Sequence, residues 1–478
     1  MKKILFVTSE AHPLIKTGGL ADVSGSLPKA LVELSQDLRL VIPKYQALKI
    51  EGDVRYVCSL RVDNKNIKIL EMHMPDSPVV VWLVDYPGYY NYPGNPYVNE
   101  HGEPWDNNAE RFALFCRVVV EIAMNRINQD WQPDIVHCND WQTGLVPAFL
   151  SLEQDKRPAT VFTIHNMAYQ GLFPAGTAAA LNLPGQLMHP LGLEFHGMLS
   201  FIKGGLVYAD YITTVSPTYA QEIQTPEFGY GLEGLLDHRK EYLGGIINGI
   251  DLDQWNPETD PYIFQQFKAP SLNKKQLNKS ALQQQVKLPG DSQIPLFALI
   301  GRLVEQKGID LIIDSLPEML AMPLQVVILG SGDKIYEQKL DSLRQSYPEK
   351  LAVILEYNEE LAHQIEAGAD IFMMPSRFEP CGLNQMYSQR YGTVPIVRKT
   401  GGLADTVIDA VPETIAANTA TGIVFNDATP GSLLEAVKRS LILFSHPLQW
   451  KKMQLCGMEK DFSWQQSAQQ YLTVYRNI

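Results

Sequence analysis

Lys16-Thr17-Gly18-Gly19-Leu20-Ala21-Asp22 recurs, residue for residue, as Lys399-Thr400-Gly401-Gly402-Leu403-Ala404-Asp405. Each copy lies between a run that reads as a β-strand and a run that reads as an α-helix. A cation, two glycines and a helix start let the backbone approach a ligand closely and attract an anion to amide N–H groups. Two coincidentally similar glycine turns are the plainer reading. Seven identities in order favour the other one: two similar lobes, each presenting a helix N-terminus to a shared cleft.

Outward from each copy, short apolar runs alternate with helical patterns, as βαβ units and parallel sheets do. Around the first copy, strands are expected at 3–8, 38–42, 79–85, 134–138, 160–164 and 211–215. Leu20, Val23, Leu27, Leu31 and Leu34 recur at spacings of three and four, which predicts one apolar helix face. Pro28 lies inside that pattern and is expected to kink or restart the helix. Around the second copy, strands are expected at 295–300, 325–329, 352–355, 371–374 and 394–397. Between the two sets, residues 260–291 are rich in Gln, Lys and Asn, which puts an inter-domain connection between about 249 and 293. Within it, 273–286 reads as helical.

The length of 478 residues suits two to four domains at roughly 100–200 residues each. Hydrophobic residues at 45% and charged residues at 19% describe a globular chain. The net charge of −13 argues against a nucleic-acid binder, which needs clustered cations to displace counterions. Cys58, Cys116, Cys138, Cys381 and Cys456 are odd in number and form no CxxC pair, so neither a zinc site nor a disulfide framework is expected. That usage fits a reducing compartment. The apolar runs are too short for a membrane span or a signal-peptide core, so a cytoplasmic protein without a membrane partner is expected.

Several segments carry chemistry. Residues 16–19 suit a phosphate, yet GxxxxGK[ST] is absent, and the first strand does not lead into GxGxxG. Arg302 and Lys307 follow a strand, where two cations could stabilise a departing diphosphate, or could simply be solvated. Pro375-Ser376-Arg377-Phe378-Glu379-Pro380-Cys381-Gly382-Leu383 follows the next strand. Glu379 could hold sugar hydroxyls or offset charge on an oxocarbenium-like sugar; capping the next helix is the structural alternative. Cys381, Gly382 and Leu383, opening that helix, could offer N–H groups to a phosphate. In the first half, His137-Cys138-Asn139-Asp140-Trp141 and His165-Asn166 end neighbouring strands with polar groups at one edge. No Ser-His-Asp order or HExxH spacing is present, so hydrolase and metalloenzyme readings lack a motif.

Taken together, KTGGLADV (16–23), HCNDWQTGL (137–145), TIHNMAYQG (163–171), INGID (247–251), GRLVEQKG (301–308), SRFEPCGLNQMYSQRYGTVPIVRKTGGLADTV (376–407) and DFSW (461–464) resemble the bacterial glycogen synthase and plant starch synthase family. The resemblance spans nearly the whole chain, and the block 376–407 is its most specific part. It implies an α/β GT-B-type fold of two Rossmann-like lobes facing a deep cleft. The implied domains are 1–248, 249–460 and a terminal helix over 461–478 that crosses back to the first lobe. The implied activity is retaining transfer of glucose from ADP-glucose to the non-reducing 4-hydroxyl of an α-1,4-glucan such as glycogen, without metal or other cofactor.

By the same resemblance Lys16, with Gly18 and Gly19, contacts the sugar nucleotide, and Arg302 and Lys307 bind its diphosphate. Glu379 holds the donor glucose; His165 and Asp140 line the glucose and acceptor side. Asn248 belongs to the glucose pocket and Tyr357 stacks on adenine. Cys381, Gly382, Leu383, Thr400 and Gly401 complete the donor-binding set. One departure is Gln142, where the family often has His; glutamine cannot titrate and is given no proton-transfer role. Retention without a convincing carboxylate nucleophile favours front-face substitution, in which the leaving phosphate takes the acceptor proton. A glucan phosphorylase, a UDP-sugar transferase and a non-catalytic glucan-binding scaffold are the rivals.

Overall fold

Lys-Ile-Leu-Phe-Val at Lys3–Val7 becomes the central strand of one sheet, and Leu-Phe-Ala-Leu-Ile at Leu296–Ile300 that of another. Both are apolar on successive residues rather than alternately, as strands covered on both faces must be. The computed structural model describes residues 1–75 and 77–478. It divides into two units, Met1–Gly249 with Trp464–Ile478, and Ile250–Ser463.

In the first unit the sheet runs Leu243–Gly245, Tyr211–Thr214, Ala159–Ile164, Ile135–Asn139, Lys3–Val7, Asp37–Pro43, Val80–Asp85, Lys65–His73, Arg55–Val62. All neighbours pair in parallel except for the last two strands, which pair antiparallel. Every strand expected from the first half is present. The terminal hairpin was not expected; its two-residue turn is Asp63-Asn64, both at positive φ (46° and 60°), the geometry of a primed turn. The strand order reverses between Lys3–Val7 and Ile135–Asn139, so the crevice beyond Val7 and Asn139 is where an open sheet accepts a ligand.

Of the kink or restart expected at Pro28, the restart does not occur: helix Gly19–Glu33 continues through it. A missing ladder bond costs about 3 kcal/mol. The helix buries Leu20, Val23, Leu27 and Leu31, each contributing about 1.5–3 kcal/mol, so burial outweighs the defect. The C-terminal helix Trp464–Asn477 also belongs to this unit: Tyr475 Oη lies 2.7 Å from His137 Nδ1, and Ser467 Oγ donates to Ile247 O at 2.7 Å.

In the second unit all six strands are parallel: Leu351–Ile354, Gln325–Leu329, Leu296–Ile300, Ile371–Met374, Val394–Arg398, Ile423–Phe425. Numbered along the chain, that order is 3-2-1-4-5-6, the Rossmann arrangement. Its reversal lies between Ile300 and Met374, at the start of the segments carrying Arg302 and Glu379. The polar stretch expected to be a connection is instead built into this unit. Trp255 stacks between His363 (3.8 Å) and Tyr387 (4.0 Å), and Asp260 accepts hydrogen bonds from His363 Nδ1 and Tyr391 Oη. Helix Lys275–Gln285 buries Lys275, whose ammonium donates to Glu366 O, Ala367 O and Thr393 Oγ1. The stretch looked like a linker because its polar groups find partners far away in sequence. Among the described residues, no helix is long and apolar enough to cross a membrane.

Candidate active site

At the edge of the first unit, the chain leaves Lys3–Val7 and reaches the first repeat through Glu10. This carboxylate is 3% exposed. It accepts hydrogen bonds from Thr17 N (2.6 Å), Gly18 N (3.2 Å), Thr17 Oγ1 (2.8 Å) and Tyr97 Oη (2.8 Å). Burial pushes its pKa up while those donors pull it down. The amides of Thr17 and Gly18, expected to await an anion, therefore already hold one. Lys16 points outward and pairs with Asp22 at 2.7 Å.

The two neighbouring strands end in a linked polar set. Asp140 is buried at φ 57°, ψ 178°, a region costing about 1–3 kcal/mol for a residue with a side chain. That turn aims Oδ1 at the next strand, where it accepts His165 N at 2.8 Å. Asn139 Nδ2 donates to Val7 O at 2.9 Å, which leaves its Oδ1 to accept from His165 Nε2 at 2.9 Å. His165 thus carries its proton on Nε2. Burial lowers its pKa to about 3, so the ring is neutral at physiological pH. Burial raises the Asp140 pKa to about 7, opposed by the His165 and Asn166 amides. Asn248 is buried, and its Oδ1 has no hydrogen-bond partner among the described residues. Trp141 packs into an aromatic cluster with Phe112, Phe173 and Phe201.

At the edge of the second unit, the segments after Ile300 and Met374 interlock. Lys307 Nζ donates to Glu379 Oε2 at 2.5 Å, and Ser376 Oγ donates to the same oxygen at 3.1 Å. Among the described residues, helix Asn384–Arg390 has Leu383 at its N-cap and no side-chain cap hydrogen bond, so Glu379 is not seen to cap it. Arg377 N donates to Gln306 O at 2.8 Å, and Asn384 Nδ2 to Ile300 O at 2.9 Å. Arg398 Nε donates to Ser376 O at 2.8 Å and its Nη2 to Arg377 O. Arg302 is exposed at the same strand end, and Tyr357, 77% exposed, hydrogen-bonds Glu359 through its hydroxyl.

The second repeat braces this segment from behind. Gly402 N donates to Glu379 O and Pro380 O, both at 3.1 Å. Gly401, preceded by buried Thr400, has φ +41° and sits where a Cβ would meet Glu379 O at 2.0 Å. Gly382, at φ +71° between buried Cys381 and Leu383, is where the chain turns into the next helix. Within each unit, most of the sequence-selected residues lie in segments that follow the carboxyl ends of inner strands, whereas Asn248 and Tyr357 follow the edge strands Leu243–Gly245 and Leu351–Ile354. Glu10, Asn139, Ser376 and Arg398 were missed. Glu10 had one available signal, a carboxylate three residues beyond the central strand. Among the described residues, no group of three or more His, Cys, Asp or Glu is arranged to hold a metal ion.

Comparison with known proteins bears on the fold and the family. Residues 3–238 match the starch synthase catalytic domain and residues 280–452 the glycosyl transferases group 1 domain. Glycogen synthase 1 of Methylococcus capsulatus is 55% identical over 474 residues, covering 99% of this chain and 96% of that one. Glycogen synthase of Thioalkalivibrio sulfidiphilus is 53% identical, covering 100% and 99%. Among solved structures, the catalytic domain of starch synthase IV from Arabidopsis thaliana, bound to ADP and acarbose, superposes with a TM-score of 0.89 at 33% identity, covering 100% of this chain and 99% of that one. Sucrose-phosphate synthase from Thermosynechococcus elongatus, at 17% identity and TM-score 0.58 over 100% and 99% of the two chains, shares the fold. With family models over both units and full-length relatives at 53–55% identity, the chain belongs to the glycogen and starch synthase family of GT-B glycosyltransferases.

Proposed function

We propose that the chain transfers glucose from ADP-glucose to the non-reducing 4-hydroxyl of an α-1,4-glucan, retaining the anomeric configuration and releasing ADP. The observation that carries this is the ion pair of Lys307 and Glu379 beside Arg302 at the strand-order reversal of the second unit. A cation and a carboxylate 2.5 Å apart can serve the two ends of one breaking bond. Lys307 and Arg302 stabilise negative charge growing on the departing diphosphate; Glu379 offsets positive charge growing on the sugar.

In this reading Lys16 and the glycines after it contact the sugar nucleotide, and Tyr357 stacks on adenine. Asn248, with its unpartnered oxygen, accepts from a glucose hydroxyl. Cys381, Gly382, Leu383, Thr400 and Gly401 shape the donor pocket. The neutral His165 is a hydrogen-bonding group rather than a proton donor, and Asp140 orients it. That leaves the leaving phosphate as the base that takes the acceptor proton, the front-face route. Lysine and arginine supply the positive charge, so the reading requires no metal. The relative bound to ADP and acarbose supports both the nucleotide and the glucan.

The deciding assay is nucleoside diphosphate release from ADP-glucose and from UDP-glucose, with and without glycogen, in buffer containing EDTA. Glycogen-dependent ADP release that survives EDTA is expected. Release that prefers UDP-glucose, or that ignores glycogen, overturns the assignment.

A further inference from the structure

Under the first repeat lies a buried carboxylate, Glu10, that neither the strand pattern nor the reaction accounts for. Removing a carboxylate from water is costly unless its oxygens are well satisfied. Glu10 takes most of its hydrogen bonds from Thr17 and Gly18. Thr17 supplies N–H and hydroxyl, Gly18 supplies N–H, and the remaining donor is Tyr97, itself 2.7 Å from Ser9 Oγ. In the second repeat Thr400, at the position of Thr17, donates its backbone N–H to Arg398 O at 2.9 Å instead.

This bonding has a directional consequence. With the Thr17 and Gly18 amides turned inward to Glu10, the preceding side chain, Lys16, is thrown outward, 44% exposed. The following helix start, Gly19, is left in open space, where a Cβ would meet nothing within 4 Å. We propose that Glu10 is a positioning residue for donor binding: its carboxylate fixes residues 17 and 18 so that Lys16 and the start of helix Gly19–Glu33 are presented to the anionic part of a sugar nucleotide. This rests on the donor role of Lys16 proposed above. Glutamine at position 10 keeps the size but turns one acceptor oxygen into an NH2 group facing N–H and O–H donors, and the segment loses its fixed direction.

The test is a double-mutant cycle on the full-length enzyme with Glu10→Gln, Lys16→Ala and the pair, reading KM for ADP-glucose and for glycogen separately. Glu10→Gln is expected to raise KM for ADP-glucose about tenfold, to leave KM for glycogen within about twofold, and to add less than about twofold on top of Lys16→Ala. The same fold increase in both backgrounds, or an equal rise in both KM values, overturns the positioning role. A wild-type KM for ADP-glucose in Lys16→Ala overturns the donor role of Lys16 and this inference with it, an outcome distinct from additivity, which removes only Glu10. If Glu10→Gln does not fold, Thr17→Val removes one donor from the other side of the contact. Its expected rise of about threefold should likewise vanish in the Lys16→Ala background, and an additive effect overturns the proposal.

Discussion

In the first copy of the repeated segment, a Cβ added at Gly18 or Gly19 would meet no atom within 4 Å; in the second, one at Gly401 or Gly402 would lie 2.0 or 2.1 Å from the carbonyl oxygens of Glu379 or Cys381. The residues are identical and their surroundings are opposite. In the first unit the glycines face open space, and the amides of Thr17 and Gly18 are held by Glu10. In the second they are buried, and they let one backbone lie directly against the segment that carries Glu379. Glycine is required for ligand access in one copy and for backbone-to-backbone packing in the other. A repeat in sequence therefore marks a repeated fold element, and the chemistry around it still has to be found copy by copy.

The sharpest way to break this comparison is to make one substitution at equivalent positions. In Gly402→Ala the new methyl must displace the Cys381 carbonyl, which should cost about 3 kcal/mol and shift the segment bearing Glu379. A misplacement of roughly 1 Å there should cost about a hundredfold in turnover. Gly19→Ala has room, and at a helix start it should leave stability unchanged or raise it by up to about 0.5 kcal/mol. Thermal unfolding of both variants decides the matter; equal shifts would mean that the two environments are not different in the way described.

A second contrast is between two lysine–carboxylate pairs. Lys307 and Glu379 meet at 2.5 Å with the carboxylate side chain 7% exposed, whereas Lys16 and Asp22 meet at 2.7 Å with side chains 44% and 24% exposed. Glu379→Gln preserves shape and removes charge. Its turnover should fall by about a hundredfold or more while its melting temperature moves little, because Lys307 keeps access to solvent. Lys307→Ala should lose well over tenfold by the same argument. An active but less stable Glu379→Gln enzyme would make the carboxylate structural. Elongation and unfolding measured on one preparation separate the two outcomes.

Most of the fold was legible because parallel strands buried on both faces read as uninterrupted apolar runs, as at Lys3–Val7, Gln325–Leu329 and Ile371–Met374. The hairpin Arg55–Val62 and Lys65–His73 escaped because its outer strand is largely exposed, with Arg55, Ser59 and Arg61 interrupting its apolar residues, and its turn is Asp63-Asn64 rather than a glycine turn. Residues 260–291 misled because polar side chains such as Lys275 are paired across long sequence separations, which no local pattern records. At the candidate site, residues lying within recognisable segments could be placed at strand ends. Residues that act on those segments, such as Arg398 on the carbonyls of Ser376 and Arg377, could not, since their partners are set by tertiary contact.

A smaller effect separates the titrating groups at the edge of the first unit. Burial raises the Asp140 pKa to about 7 from an ordinary value of 3.8. Between about pH 4 and 7 the folded state then binds more protons than the unfolded one, so this group's contribution to stability falls as pH rises through that window and levels off above it. His165 and His137, both lowered to about 3 by burial, act in the opposite sense: their contribution is full above about pH 6.5 and is lost as pH falls toward 3. Asp140→Asn keeps an acceptor for His165 N and removes the carboxyl titration. Relative to wild type it should gain stability as pH rises from about 4 to 7. Parallel curves from denaturant titrations at several pH values would show that Asp140 titrates normally.

The smallest expected effect returns to the repeat, through its two lysines. Lys16 has Asp22 beside it, an exposed pair of the kind worth a few tenths of a kcal/mol. Lys399 is exposed at the matching position, where its backbone N–H pairs with Phe425 O. Alanine at position 16 should therefore cost no more than about 0.5 kcal/mol, less at high salt because exposed pairs are screened, and alanine at position 399 still less. The value of so small a number lies in what it excludes. If Lys16→Ala raises KM for ADP-glucose while unfolding within about 1 °C of wild type, the lysine serves the ligand and not the fold. If Lys399→Ala changes KM as much as Lys16→Ala does, the two copies share a chemical role after all. The difference between their environments would then concern packing alone.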